Sequence, residues 1–142
     1  GGEKRIHKEL KNFEIGKAIP VRFGERIAVF STGAIFEEVE EACNLLAAEG
    51  IYPTVYTFPT VKPIDAEVIR EIAAAHEMIV TCEEHNLSGG FGSAVAEVLA
   101  EMPSHARLMR IGMHDQYSTL VGNQKYLRDQ FGMSGKILEQ LK

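Results

Sequence analysis

Only two cysteines occur among the 142 residues, far apart and each inside an apolar pattern. Neither a disulfide framework nor the close Cys/His spacing of a metal site is therefore present, and Cys43 and Cys82 are expected as ordinary buried thiols. No apolar run approaches the ~20 residues that a bilayer crossing requires. The opening GGEKRIHKEL has no apolar stretch of the signal-peptide kind, and its two leading glycines fit a cloning remnant. A cytoplasmic protein that does not engage a membrane is expected. Basic residues are not in excess either. With 15 Lys and Arg against 20 Asp and Glu the formal charge is −5, and the positive residues are scattered along the chain. The electrostatic footprint of a nucleic-acid binder is missing, and neither DNA nor an anionic membrane is expected as a partner.

What is present is the composition of a soluble globular domain, 45% apolar and 25% charged. A chain of this length can bury roughly 70% of the surface its unfolded form exposes, so no covalent staple is required. Residues 1–12 read as a linker or tag remnant and 13–142 as one domain. AIPVRF (18–23) reads as a strand, and Pro20 places it at a sheet edge. RIAVFST (26–32) is apolar on nearly consecutive positions, as a strand buried on both faces should be. Ile35, Val39, Ala42, Cys43, Leu46 and Ala47 follow at helical spacing, with Gly50 ending that helix. TVYTF (54–58) is a strand, and Asp65 caps a helix that carries Val68, Ile69, Ile72 and Ala73 on one face. MIVTCE (78–83) is a third buried strand. Phe91, Ala94, Val95, Val98 and Leu99 form the clearest helical periodicity in the chain, and ARLMRIG (106–112) is the last strand. Two short helices are expected to close the chain, the second capped by Ser134 and presenting Ile137, Leu138 and Leu141. Strands alternating with helices of this length imply right-handed βαβ units, hence a three-layer α/β/α sandwich around a mostly parallel sheet.

In such sheets ligands lie beyond the carboxyl ends of the strands, which directs attention to four loops. None holds a complete motif. The first buried strand is followed by Ser31-Thr32-Gly33 where a dinucleotide site needs G-x-G-x-x-G, and the nearest approach, GFGSAV (90–95), ends in valine. There is no phosphate-binding P-loop. Ser93 lies inside a helical pattern and not on the turn of a nucleophile elbow. The segment CEEHNLSGG (82–90) gathers acids, a histidine and glycines where a strand meets a helix. Helix amides there could hold an anion, but Glu83 and Glu84 would repel a phosphate. One of those carboxylates, or Ser88 as N-cap, satisfies the amides from within, and the glycines let helix and strand approach closely. His85 can move a proton near neutral pH, with a loop histidine bonded to backbone as the alternative. His114 and Asp115 form a second polar pair or a turn. His7, His76 and His105 read as solvated. The residues alone thus assign no catalytic group, no cofactor contact and no metal ligand.

Four stretches, FEIGKAIPVRFGERIAVFSTG (13–33), TFPTVKPID (57–65), VTCEEHNLSGGFGSAVAEVLAE (80–101) and RIGMHDQY (110–117), together resemble successive landmarks of one family. It is the C-terminal domain of transketolase and its thiamine-diphosphate relatives, which include 1-deoxyxylulose-5-phosphate synthase and the β-subunits of 2-oxo-acid dehydrogenases. The likeness runs in order over about residues 12–141. It implies a five-stranded mixed sheet whose first strand, 18–23, runs antiparallel to the rest. It also implies an enzyme that transfers a two-carbon ketol unit between sugar phosphates, working as a dimer. Thiamine diphosphate and Mg²⁺ would be held by N-terminal and middle domains of the same enzyme or of a companion subunit. On that basis the domain supports assembly and is inactive alone. Glu83, Glu84, His85, Asn86, Gly89 and Gly90 are the residues expected to face neighbouring domains. The chain departs from the family after Asp115, where relatives commonly read D-R-F-G-E-S-G-T-P and this one has QYSTLVGNQ (116–124), a place where substrate or partner contacts could differ. Two rival readings stand beside this one. The first is a free-standing α/β module that docks a protein or a small anion at the Ser88 helix start. The second is a dinucleotide-dependent oxidoreductase, which the incomplete glycine pattern disfavours.

Overall fold

The structure, a computed structural model, describes residues 4–5, 16–32, 36–84, 90–113 and 129. Its elements in chain order are β1 (Lys4–Arg5), β2 (Ile19–Phe23), β3 (Ile27–Ser31), α1 (Phe36–Ala47), β4 (Thr54–Thr57), α2 (Ala66–Ala75), β5 (Met78–Glu84), α3 (Phe91–Ala100) and β6 (Arg107–Met113). They form one sheet in the order β1-β2-β4-β3-β5-β6. β4, β3, β5 and β6 run parallel, and β2 is antiparallel to β4. The five expected strands are therefore present with the expected directions.

The sixth strand is the two-residue β1, which pairs Lys4 with Phe23 and Arg5 with Arg22. It falls in the segment read from sequence as a linker, where two charged residues give no apolar alternation to mark a strand. β1 lies outside β2, so the strand carrying Pro20 is one place in from the sheet edge and not at it as expected. The described β1 pairing involves Arg22 and Phe23, and the register of β2 on β4 shifts between Pro20 and Arg22, a bulge of the kind that accommodates a proline.

Helices cover both faces. On one, Val39, Ala42, Cys43 and Leu46 of α1 pack on Ile27, Val29, Val55, Met78, Val80 and Cys82. On the other, Ile69 and Ala73 of α2 and Phe91, Val95 and Leu99 of α3 pack on Ala28, Phe30, Phe58 and Ile79. Every residue of β3 is buried, as expected of the strand whose sequence is apolar without alternation. Both thiols lie in the α1-side cluster. Gly50 has φ +81°, the left-handed conformation that a helix-terminating glycine supplies without Cβ strain.

Asp65 does more than cap α2. Its Oδ1 accepts from the Val68 N–H at 3.3 Å, and its Oδ2 accepts from the Ala18 N–H at 2.9 Å. One carboxylate thus joins the start of α2 to the start of β2.

Thr81, in the middle of β5, is fully buried, and among the described residues its Oγ1 is the one buried side-chain polar atom without a hydrogen-bond partner. Removing an unsatisfied hydroxyl while keeping the branched shape relieves its desolvation. Thr81→Val is expected to raise stability by about 1 kcal/mol, seen as a higher midpoint in urea unfolding at unchanged slope.

Candidate functional site

The carboxyl ends of β5 and β6 and the amino end of α3 meet at one place. A chain of rings fixes it to the sheet. Phe30 and Phe58 lie 4.9 Å apart between centroids, and Phe58 and Phe91 5.2 Å apart, both pairs tilted. Phe91 is the first residue of α3 and is fully buried, so the helix start is anchored against the sheet.

Glu83 is buried at this junction. Its Oε2 accepts from the Phe91 N–H at 3.1 Å and the Gly92 N–H at 3.3 Å. The cap position itself, Gly90, offers no side-chain hydrogen bond. The positive end of α3 is thus neutralised by a carboxylate eight residues upstream, reaching across from the strand. Of the two internal ways of satisfying these amides, the strand carboxylate is seen at Phe91 and Gly92. Ser88 lies outside the described residues, as do His85, Asn86 and Gly89, and the side chain of Glu84 is likewise not described. His114, Asp115, the divergent loop 116–124 and the two expected closing helices lie there too, and His7 with them.

The glycines act differently from expectation. A Cβ at Gly90 would meet nothing within 4 Å, so close helix-to-strand packing does not require glycine there. At Gly92 a Cβ would collide with the Arg110 guanidinium, approaching Cζ and Nη2 at 3.0 Å and Nε more closely still. What Gly92 admits is an arginine side chain and not a backbone. Arg110 lies across it from β6, its Nη2 donating to Ser93 Oγ at 3.2 Å and standing 3.7 Å from Glu83 Oε1. Sequence reasoning passed over this arginine. A faint signal existed: Arg110 pairs in register with Thr81 and Gly112 with Glu83, so Arg110 shares the face of Glu83, and a glycine sits unexpectedly in a helix's first turn.

Beside Ser93 an open groove of about 560 Å³ runs between α3 and the 61–64 segment before α2. Lys62 and Arg70 on one side face Glu97 and Glu101 on the other, so its charge is balanced and does not single out an anion. The starts of α2 and α3 are both filled by carboxylates, Asp65 and Glu83, and a diphosphate would find neither open. The described residues hold no group of three or more His, Cys, Asp or Glu arranged to bind a metal ion.

His76, expected in solvent, is half-buried at the end of α2. Its Nδ1 is 3.0 Å from the Ile72 carbonyl and its Nε2 is 2.7 Å from Thr54 Oγ1, which also accepts the Gly24 N–H at 3.1 Å. A carbonyl only accepts, so Nδ1 carries the hydrogen and neutral Nε2 receives the Thr54 hydroxyl. Burial holds the His76 pKa below its ordinary value, outweighing the Ile72 bond, which raises it. The folded chain thus takes up this proton less readily than the unfolded one. The stability involved is complete above pH ~6.5 and is lost as pH falls through the lowered folded-state pKa. Urea unfolding between pH 7.5 and 5 should show that decline in the parent chain and a flatter profile in His76→Gln. Identical profiles would remove His76 as its source. His105, by contrast, is exposed as expected, with Nδ1 2.6 Å from its neighbour's carbonyl at Ala106.

Comparison with known proteins gives one consistent likeness. The family model described as transketolase, C-terminal domain, matches residues 16–136. A 1-deoxy-D-xylulose-5-phosphate synthase of Dehalococcoides mccartyi strain 195 is 36% identical over 133 residues, covering 92% of this chain and 20% of that protein. One from Heliobacterium modesticaldum is 39% identical over 129 residues, covering 91% and 20%. Among solved structures, a split-gene transketolase described as an inactive β4 tetramer superposes with a TM-score of 0.68 at 31% identity, covering 83% of this chain and 42% of that one. The chain spans about a fifth of the length of the curated relatives it matches.

Proposed function

We propose that this chain, which belongs to the transketolase C-terminal domain family, is the assembly domain of a thiamine-diphosphate-dependent enzyme that transfers a two-carbon ketol unit between sugar phosphates. The observation that carries this reading is the family match over residues 16–136. It is supported by Glu83, whose carboxylate already accepts from two amides at the α3 amino end; the docking edge is assigned to residues 83–90. Thiamine diphosphate, which serves as an electron sink, and Mg²⁺ are held by the other domains, on the same polypeptide or a companion subunit, and the full enzyme is a dimer. His85, Asn86 and Gly89 belong to that docking edge, with Glu83, Glu84 and Gly90 at its ends. The solved split-gene relative described as inactive supports a division of labour between chains. Two buried thiols are in keeping with a reducing, cytoplasmic setting. For the rival small-anion module, the amides it would use are already bonded to Glu83.

A second reading is favoured by the relatives at 36% and 39% identity, both named 1-deoxy-D-xylulose-5-phosphate synthase. In it the same domain serves an enzyme that makes that product. Recombining the chain with the polypeptide that carries the remaining domains, then following products by mass spectrometry, separates the two. Ketol transfer from xylulose 5-phosphate to an aldose phosphate is the expected outcome of the first. Formation of 1-deoxyxylulose 5-phosphate alone selects the second, and neither product on recombination contradicts both.

A further inference from the structure

The geometry points to Arg110 as a cation held ready for a carboxylate of the companion domain. The inference rests on the assembly role just proposed and names the chemistry of the contact.

The local energetics of the isolated chain do not account for Arg110's placement. A glycine in a helix costs more backbone entropy than alanine, and holding an arginine in one rotamer costs side-chain entropy as well. Against this stand one hydrogen bond to Ser93 at 3.2 Å and a loose pair with Glu83 at 3.7 Å, with the arginine side chain 46% exposed. Exposed pairs of that kind contribute little or nothing measurable. Glu83 is moreover already engaged through its other oxygen with two α3 amides. The arrangement is therefore at best neutral for this chain, yet it lays the guanidinium across Gly92.

A guanidinium carries five N–H donors in a planar fork, and at 46% exposure much of that fork is open to solvent. A fixed fork matches a carboxylate through two parallel hydrogen bonds, which the point charge of a lysine cannot do. Such a pair gains strength when an interface excludes water from it. The chain spans about a fifth of its relatives' length, so companion domains of several times its size are there to supply the acid.

The test is the association of the full 142-residue chain with the polypeptide carrying the remaining domains, produced separately and measured by calorimetry at two salt concentrations. Arg110→Gln is expected to weaken association at least tenfold and to reduce its salt dependence, with the melting temperature of the free chain within about 2 °C. Arg110→Lys should recover part of the loss. Gly92→Ala provides an independent arm: it keeps the arginine but displaces it, so association should fall while the free chain is as stable as before or more so. Association within twofold of the parent for both Arg110→Gln and Gly92→Ala overturns the proposal and leaves the assembly role standing. No association of the parent chain overturns the assembly role and this contact with it. Saturable binding of inorganic phosphate that Arg110→Gln abolishes would mark a small-ligand site and also overturn it.

Discussion

Glu83→Ala is expected to destabilise the domain by about 3 kcal/mol, lowering the melting temperature by roughly 10 °C. Three losses add. The Phe91 and Gly92 N–H groups lose their acceptor in a buried setting, and each orphaned donor costs about 1–1.5 kcal/mol. The positive end of α3 loses a carboxylate bonded to its amides. Arg110 loses its partner at 3.7 Å, a smaller effect because that side chain is half exposed. Glu83→Gln keeps an acceptor oxygen of nearly the same reach and should lose less than half as much. Equal losses for the two variants would show that charge alone matters at this position, and a loss under about 0.5 kcal/mol for both would remove Glu83 as the cap.

Glu40→Ala is expected to lose about 2–3 kcal/mol, for a different reason. Arg22 of β2 is 2% exposed, and its Nη2 donates to Glu40 Oε2 of α1 at 2.6 Å. Taking the acid away leaves a buried guanidinium short of compensation, which is far more costly than losing a surface pair. Because Glu40 itself is 27% exposed, water enters the gap and keeps the loss below that of a fully enclosed pair. The pair Arg22→Met with Glu40→Ala removes the charge as well, and should be more stable than Glu40→Ala alone. Urea titration of the parent and the three variants gives the coupling. A double variant that loses the sum of the two singles would mean that Arg22 and Glu40 act independently.

These residues mark where the sequence was legible and where it was not. The order of strands and helices could be read because burial leaves a pattern: Ile27 to Phe30 are apolar on consecutive positions, and Phe91, Val95 and Leu99 recur at one helical face. Asp65 could be read as a cap because capping is local, three residues from cap to amide. Its second bond, to Ala18, spans 47 positions and leaves no local trace. The same holds for Arg22 and Glu40, 18 apart, and for Gly92 under Arg110, where a residue of α3 meets one of β6. His76 read as solvent-exposed because it ends a helix, whereas its half-burial goes with a contact to Thr54 of β4, 22 positions away. At the junction 82–92 a strand carboxylate is the internal partner for the helix that the sequence suggested. The arginine that completes it lies on the neighbouring strand and could be placed only by the fold.

The most direct measurement uses the purified 142-residue chain alone, supplied with thiamine diphosphate, Mg²⁺ and xylulose 5-phosphate together with an aldose phosphate acceptor. No turnover is expected, since among the described residues no cluster of acids, histidines or cysteines could hold a metal ion and both α2 and α3 have their amino ends filled by carboxylates of the chain itself. Turnover by the chain alone would place the chemistry within it and contradict its assignment as an assembly domain.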